Sequence, residues 1–293
     1  MDIASRVTRY VLRKKIMIEI NHSTCDLCGR CSNVCHEYCI YIVAGKVQVD
    51  HQYCSTCCQC IAVCKEKAMT WEGITPVPFD RSLYPTAAQM EEFFAERRTC
   101  RDFKDDSIDR PLLEQVAVMA TKAPTHNFNM RVNIIDDPGH IWMIDNLIFR
   151  FIRRLYRFLY KPRWVPKLIK LIAPGSESEY LKAKPKLESA IYRGGPFRSM
   201  PAAIMLVIGK KRIPLSLESA QYALYTMDLY AQSLGLGCRN LVGNQMILNH
   251  SKWLRRTMKI KRGEKIYGTL ALGYPAVTFR NKVTGKQLQL QWN

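Results

Sequence analysis

One cysteine pattern, C-x₂-C-x₂-C-x₃-C, occurs twice within residues 25–64, and it constrains this chain more than any other feature. The first copy holds Cys25, Cys28, Cys31 and Cys35; the second holds Cys54, Cys57, Cys60 and Cys64, offset by 29 residues. Such spacing wraps three thiolates around one iron–sulfur cube and sends the fourth to the cube of the other copy. It predicts two [4Fe–4S] clusters, one on Cys25, Cys28, Cys31 and Cys64, the other on Cys54, Cys57, Cys60 and Cys35. A disulfide framework or chance would have to reproduce the same register twice.

The same offset pairs Cys39 with Ala68 and Ile40 with Met69, so the region reads as an internal duplication. A short strand Ile16–Ile20 and a hairpin of Ile40–Val43 with Val47–Val49 around Gly45 are expected. These stretches resemble the bacterial two-cluster ferredoxin. That family usually places proline after the last cysteine of each motif, where this chain has His36 and Lys65. Proline there helps turn the chain and does not ligate, so the ligand set is unaffected. Cys39 stands where a small apolar residue is usual, and a buried free cysteine behaves as one. Cys58, between two expected ligands, is either a spare thiol or an exchanged ligand.

The length of 293 residues accommodates this module and one further domain of about 200 residues. The expected division is a basic extension over 1–14, the two-cluster module over 15–72, a proline-bearing linker over 73–85, and a second domain over 86–293. Ten of the twelve cysteines crowd into residues 25–64. Oxygen-sensitive thiolate clusters belong in a reducing cytosol, so a cytoplasmic protein is expected. No apolar run approaches the roughly 20 residues that span a bilayer. The stretch Met1–Lys15 is basic without an apolar core, which argues against a signal peptide.

The net charge is +19. An excess of that size suits nucleic acid or an anionic membrane. No helix-turn-helix or RNA-binding signature accompanies it, so nucleic acid is set aside as a partner. Eight cations fall between Leu147 and Ile172 without one acid: Arg150, Arg153, Arg154, Arg157, Lys161, Arg163, Lys167 and Lys170. Ile148, Phe151, Ile152, Leu155 and Leu159 recur there at helical spacing, and Pro162 and Pro166 interrupt the pattern. This basic insertion, about 144–172, has two readings. One is an interfacial helix lying peripherally on the inner face of an anionic membrane; the other is a lid packed on the protein.

In the second domain, helices are expected over about Thr86–Glu96, after Asp109-Arg-Pro111, and over about Leu217–Leu234. Strands are expected at Val132–Ile135, Ala202–Ile208 and Tyr267–Leu272. Interleaved helices and strands indicate an α+β protein whose larger domain is an α/β sandwich.

Four stretches in order carry a second resemblance: Arg97-Arg-Thr-Cys-Arg101-Asp-Phe103, Ala123-Pro-Thr-His-Asn127-Phe-Asn129, Ser233-Leu-Gly-Leu-Gly237 with Gly243, and Tyr267-Gly-Thr-Leu-Ala-Leu-Gly273-Tyr-Pro275. Together they resemble the nitroreductase family of FMN enzymes, here behind a ferredoxin-like module. Read without the family, Arg97, Arg98 and Arg101 around the Thr99 hydroxyl make a phosphate donor set or a solvated charge run. The resemblance implies that Arg97, Arg98, Thr99 and Arg101 hold the FMN phosphate. It also implies that the loop of Pro124, Thr125, His126, Asn127 and Asn129 meets the flavin's pyrimidine edge. Gly243 would then bring an amide near its reactive nitrogen, and Lys286, Arg280 or Lys282 would replace the family's tail arginine. His126 is a candidate substrate contact.

The resemblance further implies a homodimer. The helix face of Ala220, Ala223, Leu224, Met227, Ala231 and Leu234 suits either that interface or one chain's core. Gly235-Leu-Gly-Cys-Arg-Asn240 lacks the third glycine of a dinucleotide fingerprint and ends a helix rather than opening one. The implied activity passes electrons from an external donor, reduced ferredoxin or NAD(P)H, through the clusters to FMN. A nitroaromatic, a quinone or another electron-poor small molecule accepts them. The competing class is an electron carrier or redox sensor without turnover of its own.

Overall fold

Strand pairing closes the duplicated region on itself. In the computed structural model, which describes residues 18–125, 129–173, 175–241, 244–285 and 287–292, the chain divides into one unit up to Pro85 and another from Thr86. The first unit contains β1 (Ile18–Ile20), α1 (Arg30–Asn33), β2 (Ile40–Val43), β3 (Lys46–Val49), α2 (Gln59–Val63) and β4 (Met69–Trp71). β1 pairs antiparallel with β4, Ile18 opposite Trp71. β2 pairs with β3 across Ala44 and Gly45, both at positive φ (48° and 71°), as a tight hairpin turn requires. Its small core of Ile18, Cys31, Cys39, Ile40, Val47, Cys60 and Met69 contains the offset pairs Cys31/Cys60 and Ile40/Met69. The repeat is thus one of packing as well as sequence.

The second unit runs α3 (Ala87–Glu96), α4 (Arg110–Val118), β5 (Met130–Ile135), α5 (Pro138–Tyr160), α6 (Val165–Ile172), α7 (Glu177–Arg193), β6 (Ala203–Lys210), α8 (Ser216–Ser233), β7 (Gly237–Asn240), α9 (Asn244–His250), α10 (Lys252–Thr257) and β8 (Glu264–Gly273). Thr86 and Gln89 form a capping box that starts α3. The four strands make one antiparallel sheet in the order β5-β6-β8-β7.

Helices cover both faces of that sheet, which explains the uninterrupted apolar run of β6. Ala203, Met205 and Val207 face a core shared with Leu113, Val116 and the α8 residues Ala220, Ala223, Leu224, Met227 and Ala231. Ile204, Leu206 and Ile208 face the other, with Ile141, Ile144, Ile148, Leu248 and Leu254. α8 lies close to β8 because Gly268 has no side chain: a Cβ there would sit 2.2 Å from Leu224 Cδ1. The apolar face of α8 is therefore core of its own chain, not a surface for a second subunit; only Leu234 at its end is partly exposed.

The basic insertion is a helical hairpin. Along the apolar stripe of α5, Ile148 is buried, Ile152, Leu155 and Leu159 are half-buried and Phe151 is exposed, so most of the stripe faces the protein, as the lid reading has it. Its last turns pack on α7. Tyr160 stacks on Tyr180 at 4.5 Å and donates to Tyr180 O at 2.6 Å; Tyr180 donates to Leu159 O at 2.9 Å; Tyr156 donates to Glu188 at 2.7 Å. Among the described residues no helix is long and apolar enough to cross a membrane. The expected residues Ile16, His126, Asn127, Gly243 and Lys286, and the extension over 1–14, lie outside the described residues.

Candidate functional site

Alternating left-handed residues shape each cysteine loop. Leu27 and Gly29 flank Cys28 at φ 58° and 73°, and Thr56 and Cys58 flank Cys57 at 60° and 61°. A third pair, Tyr38 and Lys67 (51° and 52°), follows at the same offset. Such alternation turns successive amides toward one concavity, a geometry that receives anions and iron–sulfur clusters. Left-handed backbone costs an ordinary residue about 1–2 kcal/mol, so three non-glycine examples in the two loops and two more just after them mark a shape imposed by the surroundings.

Into the first concavity come Cys25, Cys28 and Cys31, and also Cys64 from the second copy; Ile20, Leu27, Val47 and Met69 wall it. Burial pushes the Cys31 thiol up, and Cys25 and Cys64 nearby add to the shift. Around the second loop, burial drives Cys60 up to about 12, with Cys54, Cys57 and Cys58 adding to it. Thr56 N–H points at Cys54 Sγ at 3.4 Å. Cys35 Sγ lies 3.5 Å from Cys39 Sγ. Cys39, pushed up to about 12 by burial, then by Cys35, also meets Cys54. The second group thus holds six thiols: the four expected ones, Cys39 and Cys58.

Among the described residues no three His, Cys, Asp or Glu side chains converge tightly enough for a single ion. One ion needs ligand sulfurs about 2.3 Å from a common centre. A cube holds its four thiolates further apart, and thiols drawn from both copies around amide-lined concavities fit that larger group.

In the second unit the phosphate motif does not converge. Arg97 caps α3 and pairs with Asp228 of α8 at 3.6 Å. Burial raises the Asp228 carboxyl and Arg97 draws it back down. Arg98 donates to Ala95 O at 2.7 Å and Arg97 O at 2.8 Å, where the carbonyls of α3 run out of partners. Thr99 offers its backbone oxygen to Arg101 at 3.5 Å. Pro124 and Thr125 follow a short 3₁₀ turn, Met119–Lys122, and Asn129 leads into β5. In the tail, Lys282 is held by Glu92 and Glu91 at 2.8 and 3.3 Å.

Arg101 instead opens onto a cavity of about 750 Å³ with Lys186 and Arg193 of α7, Arg198 and Arg239. Ile148, Ile152, Leu187, Ala190 and Leu241 give it apolar walls, and Asn240 and Asn244 add polar groups. Its size is that of a ligand pocket. Five cations line it and no acid does; Asp102, outside the lining, pairs with Arg198 at 3.1 Å. Arg239 donates to Pro196 O at 3.2 Å and sits 5.5 Å over the Phe197 ring. Burial lowers its pKa, and Arg101 and Arg193 lower it further.

Asp145, 4% exposed, is the carboxylate that faces Arg239. Burial drives it up to about 6, against the pull of the Phe197 N–H, which donates to Oδ1 at 3.3 Å, and of Arg239. Gly195 makes room for it, since a Cβ there would lie 2.2 Å from Asp145 Oδ2. The result is a concentrated positive field over an apolar floor, suited to a flat ligand bearing an anion. Arg193, Arg198 and Arg239 were not among the sequence candidates. The signal available was Arg239 itself, a charged residue in the glycine-flanked strand Gly237–Asn240.

Residues 94–274 match the family model described as Nitroreductase family. Among solved structures, a nitroreductase with bound FMN from Bacteroides fragilis is 14% identical, covering 69% of this chain and 98% of its own, with a TM-score of 0.48. A nitroreductase with bound FMN from Desulfitobacterium hafniense is 16% identical, with coverage of 69% and 97% and a TM-score of 0.47. Iodotyrosine deiodinase bound to FMN and 3-iodo-L-tyrosine is 20% identical, with coverage of 70% and 98% and a TM-score of 0.47. No curated protein matches the chain.

Proposed function

The chain belongs to the nitroreductase family, and from that premise we propose an FMN-dependent oxidoreductase fed through two [4Fe–4S] clusters. The observation that carries the relay is the cavity in which Cys25, Cys28 and Cys31 meet Cys64. A ferredoxin-like module over 15–72, a linker over 73–85 and a flavin domain over 86–293 follow from this reading, as does a homodimer. Bound clusters would supply one-electron transfer and bound flavin one- or two-electron exchange; that chemistry belongs to the cofactors.

The protein's part is to bind, orient and exclude water. The eight motif cysteines would hold iron as thiolates, and the loop amides beside Cys28 and Cys57 stabilise their negative charge. Arg101 and Arg239 offer fixed guanidinium donors to an anionic group, be it the flavin phosphate or negative charge growing on a reduced ring. Arg193 and Arg198 widen that field. Ile148, Ile152 and Leu241 keep water from the floor, which strengthens each of these interactions. Arg97 and Arg98 would hold the phosphate only on leaving Asp228 and the α3 carbonyls, which they contact here.

The acceptor in this reading is a nitroaromatic, a quinone or another electron-poor conjugated compound, and the donor is reduced ferredoxin or NAD(P)H. Protein purified without oxygen should show flavin and iron–sulfur absorption together, with about eight irons and eight sulfides per chain. With a reduced donor it should turn over nitrofurans or menaquinone analogues many times. Fast reduction without turnover of any acceptor would favour the carrier or sensor. Colourless protein after reconstitution would end the proposal.

A further inference from the structure

α6 is an apolar helix of the second unit that is exposed along most of its length. Of its eight residues only Val165 is buried, while Leu171 is 80%, Ile172 71% and the preceding Trp164 54% exposed. Trp164, Leu168, Leu171 and Ile172 recur at i, i+4, i+7 and i+8, which places them in one row. Arg163, Lys167 and Lys170 form the neighbouring row at i, i+4 and i+7. The acids that follow are Glu177 and Glu179, and Glu179 is paired with Lys182 at 2.9 Å.

Water is a poor environment for such a helix, and the choice of partner follows from its two rows. A second copy meeting this face about a two-fold axis would set cation against cation. Nucleic acid would satisfy the cations and leave Leu168, Leu171 and Ile172 facing phosphate. A protein interface of standard kind would add hydrogen-bonding side chains, and this row has none beyond the indole N–H. An anionic bilayer answers both rows: the apolar row enters the acyl boundary, Trp164 lies at headgroup depth, and the lysines and arginine reach outward to lipid phosphates.

We propose that α6, with Trp164, is a membrane-docking element that seats the protein on an anionic lipid surface. It does so at the tip of the α5–α7 hairpin, and not through the stripe of α5, which is packed inward. Acceptors dissolved in the bilayer would then be met at the surface where they reside.

The full chain, floated with phosphatidylcholine vesicles carrying about one third phosphatidylglycerol, should rise with them, and should stay behind with phosphatidylcholine alone. Leu171→Ser with Ile172→Ser leaves the net charge unchanged and should lower partitioning about tenfold or more. Lys167→Gln with Lys170→Gln should lower it about 25-fold, roughly fivefold for each cation near an anionic leaflet. Bromine-labelled lipid should quench tryptophan fluorescence in the parent and less in Trp164→Phe. All five side chains being exposed, the variants should keep their circular dichroism. Absence of binding, or binding that survives the serine pair undiminished, overturns the proposal. So does α6-dependent self-association or gel-shift of nucleic acid without vesicle binding.

Discussion

Gly29 and Cys58 occupy one and the same backbone position in the two repeats: each is left-handed, at φ 73° and 61°, and each precedes the short helix that carries the third cysteine of its motif. Glycine adopts that conformation freely and cysteine does not. The relationship separates a shape requirement from a ligand requirement.

Cys58→Gly is therefore expected to raise stability by about 0.5–1 kcal/mol, strain relieved less the entropy of a more flexible unfolded chain. Iron content should not change. Cys58→Val, branched at Cβ, should destabilise by about 1 kcal/mol or more. Denaturant melts with iron assays read both; loss of half the iron in the glycine variant would make Cys58 a ligand.

Cys64 belongs to one motif by sequence and to the other motif's cavity by position. Cys64→Ala should cost the first cluster while Cys54, Cys57 and Cys60 keep theirs. Cys39→Ala should retain both, although Cys39 touches Cys35 and Cys54. Iron, sulfide and low-temperature magnetic resonance of the reduced proteins distinguish these outcomes.

Arg239 is the most constrained cation of the pocket. Arg239→Gln should weaken FMN retention by about 1.5–3 kcal/mol, tenfold or more in Kd, the worth of a hydrogen bond to a charged group. The flavin-free protein should lose little stability, because the repulsion of Arg239 by Arg101 and Arg193 is relieved as its own contacts are lost. Equilibrium dialysis and thermal melts would show both; unchanged retention places the phosphate elsewhere.

Asp145 gives a pH signature. Its carboxyl, ordinarily near 3.8, stands at about 6 in the folded chain. The folded state therefore holds this proton more tightly, and its contribution to stability falls as pH rises from about 4 to about 6, staying lower above. Asp145→Asn keeps the acceptor for Phe197 N–H and abolishes the slope. It should stabilise by about 1–2 kcal/mol at neutral pH and by nothing near pH 4. A constant difference between the proteins across that range would refute the assignment.

Local chemistry was legible in sequence; convergence was not. The register of the cysteines, the turn at Gly45, the helix from about Thr86 and the run that became β6 each depend on neighbours within a few residues. The α8 face read equally as interface or core, and its burial against β6, with Gly268 close to Leu224, decides for core. The stripe of α5 read equally as lipid-facing or as a packed lid because periodicity reveals that a face is apolar, not what covers it; Ile148 and Ile152 join the core that holds Leu248 and Leu254. The pocket escaped notice because Arg101, Arg193 and Arg239 lie far apart along the chain and meet through the turn after α7 and the short strand β7.

The crossing of Cys64 into the opposite half has a consequence for biogenesis. In the proposed relay, a nascent chain that has emerged only as far as Cys35 lacks one sulfur of the first metal centre and three of the second. On that proposal neither half completes a centre by itself, and metal loading waits until the chain has emerged through Cys64.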